Sequence, residues 1–505
     1  MHPKILSIES LAASVQALKA SGKSVVLCHG VFDLLHPGHI RHFQSARALG
    51  DVLIVTVTPD QHVNKGPGRP VFPEQLRLES LAALSMIDYV ALNRWPTAIE
   101  AIELLRPDVY AKGEEYEQSD NDLTGKIVDE EQAVHRVGGR IQFTHDVVYS
   151  STKLLNTHFG LWSDEVRATL DAFKKKYSAS QVIDLLKGLK GKRVLVVGDS
   201  IIDEYHTCQV IGRASKTTAI NARFLDAETY AGGALAVANH VAGFCDHVHL
   251  VSCLGERDSH LSFIEKNLRP NISRKFFTVP DRPTILKRRF IDSFKFQKLF
   301  EESFIDDRPL PSSLQCQLDA SIQELLPEYD LVIVADFGHG MIHKSTVKVL
   351  TDSPAYLALN AQTNSPNMGY NPVTKYPRAD YVCVDQEEIR LAYHDRFGAL
   401  EDIIARAESD MSADIVAVTR ANRGSTVSAH GVIINTPVFS TDVVDTMGAG
   451  DAFLAITSPC AAAGFDPELI GFIGNAVGAL AIRILGNRES IDSARLYKYI
   501  TTLLK

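Results

Sequence analysis

Two short apolar runs rich in β-branched residues, each stopped by a glycine, mark the starts of two folding units. Lys23-Ser-Val-Val-Leu-Cys28 leads to Gly30, and Lys192-Arg-Val-Leu-Val-Val197 leads to Gly198-Asp199. Continuous runs of this length predict strands buried on both faces of a parallel sheet. After the first run the spacing predicts helices over 40–49, 73–84 and 97–105. Between and after them it predicts strands over 52–57, 89–92, 108–111 and 140–144. That alternation implies an α/β unit with helices on both faces of its sheet. From 151 to about 189 the chain turns helical and charged around Lys174-Lys175-Lys176. The expected division is therefore a unit over 1–156, a helical linker over 157–190 and a larger α/β unit over 191–505. Residues 223–225 and 285–290 read as extra strands of a flap or lid on the larger unit.

Composition narrows the function. A chain of 505 residues is too long for one compact domain. Its 52 Lys and Arg against 61 Asp and Glu give a net charge of −9. With no basic run, it is a poor candidate for coating nucleic acid, although small phosphates need only a few local cations. The longest apolar stretch, 469–485, contains Asn475 and Arg483 and falls short of the ~20 residues a membrane span needs. The N-terminus carries no signal-peptide pattern, so the expected setting is cytoplasmic, with no membrane partner. Seven scattered cysteines without a C-x-x-C pair argue against structural zinc and against a disulfide framework.

The first candidate site is His29-Gly-Val-Phe-Asp-Leu-Leu-His36-Pro-Gly-His39, which follows a strand and opens a helix. Pro37 suits the first helical turn, whose backbone N–H groups favour anions. His36 and His39, three residues apart, share one face of that turn, and Gly38 leaves room for a phosphate chain. Such a cradle can stabilise charge developing on the α-phosphate and leaving pyrophosphate of a nucleotide, with no covalent intermediate. The competing reading is a metal pair or two surface histidines. The full strand–G-x-F-D-x-x-H-x-G-H–helix context, which includes Gly30, Phe32 and Asp33, favours nucleotidyl transfer.

The second is Asp445-Thr-Met-Gly448-Ala449-Gly450-Asp451, followed by an apolar helix. Small residues at a helix start expose N–H groups that can hold a transferring phosphate. Asp451 is spaced to accept the proton of an attacking hydroxyl. A lone G-x-G-D would more often be a capped turn.

These motifs sit in wider resemblances. Residues 22–156 resemble the cytidylyltransferase-like nucleotidyltransferase family through the histidine motif, Arg69-Pro70-Val71 with Pro73 and Arg77, Lys112-Gly113, and Ser150-Ser151-Thr152. The resemblance implies that His36, His39 and a loop lysine, Lys65, contact the triphosphate. It also implies phosphate contacts from Lys112, Ser150, Ser151 and Thr152, and a nucleotide contact from Arg77. Residues from 191 to 504 resemble the ribokinase-type sugar kinases, through Gly198-Asp199 with Asp203, Gly232-Gly233, Lys287 with Arg289, Asp336, Thr419 with Gly424, and Asn475. That resemblance implies that Asp203, Gly232 and Gly233 touch sugar hydroxyls and that Lys287 and Arg289 meet a substrate phosphate. Thr419, Gly424 and Asn475 would line the nucleotide, and Glu388 would reach Mg²⁺ through water. Both units look most similar to the bifunctional heptose-phosphate kinase/adenylyltransferase family of lipopolysaccharide core synthesis, with the order of the halves reversed.

The implied activity is phosphorylation of a sugar or sugar phosphate, then transfer of NMP from NTP to the sugar 1-phosphate with release of pyrophosphate. The implied partners are Mg²⁺, ATP and a sugar phosphate, with CTP the alternative at the N-terminal site and a homodimer through the kinase lid. Ala236, Asn360-Ala361-Gln362 and Asp385 depart from the family pattern on the substrate and metal sides. They leave two readings open: an altered substrate, or a kinase fold retained as a binding or regulatory module.

Overall fold

Six parallel strands carry the first sheet. They are β1 (Ile5–Leu6), β2 (Val25–Gly30), β3 (Val52–Val57), β4 (Tyr89–Leu92), β5 (Val109–Gly113) and β6 (Arg140–Thr144), in spatial order β1-β4-β3-β2-β5-β6. The computed structural model describes residues 2–63, 69–113, 126–144, 163–294, 297–440 and 442–505. In β2 the run Val25–Cys28 is fully buried, with Val26 and Cys28 in one apolar cluster and Val25 and Leu27 in the other. That two-sided burial is why the run shows no polar alternation. The chain leaves β2 toward β3 on one side and later returns to β5 on the other. The crevice outside the carboxyl ends of β2 and β5 is therefore a switch point, where open α/β sheets bind ligands.

The second unit holds two sheets. The larger orders β11 (Ile272–Pro283), β10 (His247–Arg257), β7 (Arg193–Gly198), β14 (Leu331–Asp336), β15 (Tyr356–Ala361), β16 (Tyr381–Asp385), β17 (Ile415–Thr419), β18 (Ser425–Ala429) and β19 (Val432–Thr436). It is parallel up to β17 and antiparallel beyond. A four-stranded sheet, β13 (Lys298–Phe304), β12 (Ile285–Asp292), β8 (Ser200–Arg213) and β9 (Ile220–Gly233), stands apart from it as the lid. The expected lid segments are its β9 and β12. The long β8–β9 hairpin is much larger than the three-residue strand read from the sequence.

Met1–Asp164 with Tyr497–Lys505 form one compact unit and Glu165–Leu496 the other. The helices Asp164–Lys174 and Ala179–Lys187, expected as a linker, pack into the second unit. Val166, Leu170 and Phe173 form the buried stripe of the first, Val182, Ile183 and Leu186 that of the second, and the Phe173 ring stacks on Phe472 at 4.1 Å. Among the described residues no helix is long and apolar enough to cross a membrane.

Candidate functional site

In the first unit, Gly30 ends β2 and the chain turns through Phe32, held at φ +49°, into the helix Pro37–Arg47. His36 is the N-cap of that helix, its Nδ1 accepting from Gly38 N at 3.1 Å. The His36 and His39 rings stack at 3.9 Å, and the Phe32 ring meets His39 edge-on at 5.5 Å. The motif thus presents both imidazoles at a helix N-terminus, above the switch point. Lys112 lies at the end of neighbouring β5, paired with Glu130 at 2.8 Å, while Tyr110 donates to the same carboxylate at 3.1 Å. Burial, and then the Lys112 charge, pull the His29 imidazole down to about 3 and keep it neutral. Lys65 and Ser150, Ser151 and Thr152 lie outside the described residues.

Two expected nucleotide contacts are corrected by their bonding. The Arg77 side chain has no exposed surface, and its guanidinium donates to Phe72 O at 2.9 Å, Val31 O at 2.6 Å and Thr58 O at 3.0 Å, as well as to Asp60. Asp33, also buried, accepts from Val71 N and Phe72 N at 2.9 Å each and pairs with Arg69. Both residues spend their polar atoms bracing the loops around the histidine motif. Phe32 likewise serves as a shelf for His39. Arg77 reaches Val31 O across 46 positions and Asp33 reaches Val71 N across 38, so nothing local in the sequence distinguishes brace from ligand.

In the second unit the predicted residues other than Gly232 converge on one cavity of about 1000 Å³. Asp203, Gly233, Lys287 and Arg289 line it, as do Thr419, Gly424 and Asn475. Gly448, Ala449, Gly450, Asp451 and Glu388 line the same cavity, and the Asp451 charge is felt at Glu388. Gly448 sits at φ +79° as N-cap of the helix Ala449–Ala462, and a Cβ there would meet the Asn487 amide oxygen at 2.3 Å. The turn therefore requires glycine, and it leaves the first-turn N–H groups facing the cavity. A Cβ at Gly232 would fall 2.1 Å from Asp203 Oδ2, so that glycine makes room for the carboxylate.

Electrostatics divide the cavity. Loss of water and then the charge of Asp203 push Asp451 up to about 7, against the pull of Lys287. A carboxylate held there is matched to take a proton near neutral pH. Burial lowers Lys287, with Asp203, Glu301 and Asp451 opposing. Arg289 lines the cavity with its guanidinium braced by Asp203 and, at 2.9 Å, by Glu301. Asn475 donates to Ser425 Oγ at 2.6 Å while lining the cavity. Glu388 accepts from Thr363 N at 3.1 Å and Asp385 N at 2.8 Å, and burial pushes it up to about 7. Asp385 caps the helix Gln386–Ala392, accepting from Glu387 N at 2.8 Å. Among the described residues no group of three side chains forms a metal cage. The donor set instead fits a cation carried by phosphates and met by Glu388 and Asp385 through water. Ala236 is buried in the helix Ala234–Val241, and Asn360 donates to Cys383 O at 2.8 Å. Sequence reasoning missed Asn487, Thr363 and Tyr205, which carry no motif of their own.

Residues 192–494 match the family described as pfkB family carbohydrate kinase, and 27–184 match the cytidylyltransferase-like family. The bifunctional protein HldE of Syntrophotalea carbinolica is 41% identical over 141 residues, 28% of this chain and 27% of that protein. HldE of Methylobacillus flagellatus is 44% identical over 115 residues, 22% of this chain and 24% of that protein. The chain thus spans about a quarter of the length of these curated relatives in each match. The crystal structure of a phosphofructokinase-2 mutant from Escherichia coli superposes with a TM-score of 0.50 at 12% identity, covering 62% of this chain and all of that one, which speaks to the fold alone. Motif, cavity and family match agree over the same three-fifths of the sequence: the chain belongs to the pfkB family of carbohydrate kinases and carries a cytidylyltransferase-like domain ahead of the kinase.

Proposed function

We propose that this protein is a bifunctional transferase that phosphorylates a sugar or sugar phosphate and then activates the sugar 1-phosphate as a nucleotide sugar of the ADP-heptose type. The observation that carries the reading is Asp451, shifted to about 7, one residue beyond the Gly448–Gly450 turn and in the same cavity as Asp203 and Lys287. Asp451 takes the proton of the sugar hydroxyl as its oxygen bonds to the γ-phosphorus of ATP. The bond from that phosphorus to the β-bridging oxygen breaks, and ADP leaves. The first-turn N–H groups and Lys287 meet the charge on the moving phosphoryl group. Mg²⁺, when bound, neutralises the triphosphate, with Glu388 orienting its water shell. Asp203 holds the sugar, and Thr419, Gly424 and Asn475 line the nucleotide end.

At the N-terminal site, a sugar 1-phosphate oxygen attacks the α-phosphorus of the NTP and pyrophosphate leaves. The attacking oxygen is already ionised, so no base is needed. His36, His39 and Lys112, with Lys65 and Ser150–Thr152, stabilise charge on the transferring and leaving phosphates. ATP is the preferred nucleotide and CTP the alternative.

The apolar residues Val210, Ile211, Ile220, Phe224 and Phe300 are exposed on the lid strands, which fits a homodimer formed lid to lid. The setting is cytoplasmic. The test follows phosphate transfer from ATP to a panel of sugar phosphates, heptose 7-phosphate included, with Asp451→Asn as control. Turnover lost in the variant supports the kinase. No turnover on any sugar, with pyrophosphate still released on a supplied sugar 1-phosphate, favours the degenerate-kinase reading that Ala236 and Asn360 raise.

A further inference from the structure

Asp445, at the head of the anion-hole turn, is 5% exposed and carries four donors from four segments. Tyr205 Oη donates at 2.9 Å, Lys298 Nζ at 2.7 Å, Met447 N at 3.2 Å and Gly486 N at 3.0 Å. Two of these come from the lid, Tyr205 from β8 and Lys298 from β13, the strands on either side of β12. The Met447 bond is one residue from Gly448, so the Asp445 carboxylate sets how the chain enters the anion hole.

The same tyrosine touches the sugar end. Its ring carries the Arg289 guanidinium at 5.5 Å and the Lys298 ammonium at 5.8 Å, a doubly cation-faced ring that is almost wholly buried. Arg289 in turn holds Asp203. An unbroken chain of contacts therefore runs from Asp203 through Arg289, the Tyr205 ring and the Tyr205 hydroxyl to Asp445 and Met447. Gly486 closes it from behind, since a Cβ there would meet the Tyr205 ring at 3.0 Å. Burial alone would raise the Asp445 carboxylate, and the hydrogen bonds from Lys298, Met447 and Tyr205 together with the Lys298 charge outweigh it, so a charged acceptor is maintained at the joint.

We infer that Tyr205, Asp445 and Lys298 are positioning residues that couple the sugar-binding carboxylate Asp203 to the anion hole, so that sugar held at one end orders the N–H groups that receive phosphate at the other. The inference rests on the kinase reading of the cavity. A sugar hydroxyl on Asp203 fixes the carboxylate against Arg289, which fixes the Tyr205 ring and hence the acceptor that pins Met447. Water entering without sugar meets an incompletely ordered hole, which favours transfer to sugar over hydrolysis of ATP.

Tyr205→Phe removes one hydroxyl and keeps the ring. Lys298→Met removes a charge that is 37% exposed in its side chain, and both variants should fold. The first measurement is hydrogen exchange at the amides of 446–450 in the full-length protein without substrate. Both variants should speed exchange there about tenfold, Lys298→Arg should restore it, and β16 and β17 should stay unchanged. Unchanged exchange at 446–450 would overturn the coupling whatever the kinase does. The second measurement is a double-mutant cycle on transfer from ATP to heptose 7-phosphate. Tyr205→Phe should lower kcat about tenfold with little change in KM for ATP, and should add nothing to Asp203→Asn. Additive losses would overturn the inference. A wild-type protein that transfers no phosphate would sink the kinase reading separately, and the exchange result would still decide the link.

Discussion

Asp451 carries opposite demands from stability and catalysis. Its folded pKa of about 7 lies above the ordinary 3.8, so the folded chain holds a proton that the unfolded chain has released. That contribution is fully present below the ordinary value and is lost as pH rises through about 7. Asp451→Asn should therefore stabilise the protein by roughly 1–3 kcal/mol near pH 8, with the gain shrinking toward pH 5. Denaturant midpoints at the two pH values check this. The same substitution should lower kcat for phosphate transfer by about 10²–10⁴. In the wild type, kcat/KM should climb with pH and level off above about 7, because the base must be ionised. Arg77 makes the contrasting case. Arg77→Met strips Asp60 and three carbonyls of their donor, and it should destabilise the first unit by about 2–4 kcal/mol while leaving phosphate transfer by the second unit unchanged.

Both candidate sites are helix N-termini that follow a tight turn, and the turn decides what the N–H groups face. At the helix Ala449–Ala462 the turn depends on Gly448 in the left-handed region. Gly448→Ala adds about 1–2 kcal/mol of backbone cost and drives a methyl into Asn487. Transfer should drop on the order of 10²-fold in kcat with the fold retained, as circular dichroism and steady-state kinetics would report. At the helix Pro37–Arg47 the cap is itself a candidate catalytic residue, His36. The lid sheet acts on the first of these turns, since Tyr205 and Lys298 reach from it to Asp445.

Two units with separate cores and separate sites should fail independently. His36→Ala with His39→Ala should lower nucleotidyl transfer at least about 10²-fold and leave phosphate transfer intact, while Asp451→Asn should do the reverse. Pyrophosphate release and ADP formation, measured on one preparation, separate the two. Much of this architecture was legible beforehand. The strands Val25–Gly30 and Arg193–Gly198 announced themselves as unbroken β-branched runs, because a strand buried on both faces has no polar positions to hide among. The two motifs were legible because a phosphate cradle at a helix start needs small residues and a cap in immediate succession, which is a local demand. What stayed hidden depends on long-range closure. The helices Asp164–Lys174 and Ala179–Lys187 read as a linker because an amphipathic stripe does not say which surface it covers, and only Phe472 answered that. Arg77 and Asp33 have the residue types of ligands, yet their charges are consumed by Asp60 and by backbone amides. Tyr205 and Asp445 are 240 positions apart and belong to no shared motif. The order of residues along the chain was enough to specify the chemistry each turn could offer, because that chemistry is short-range. Which polar side chains remain available for a substrate was decided by tertiary packing, because a buried charge is satisfied by whichever partner the fold delivers.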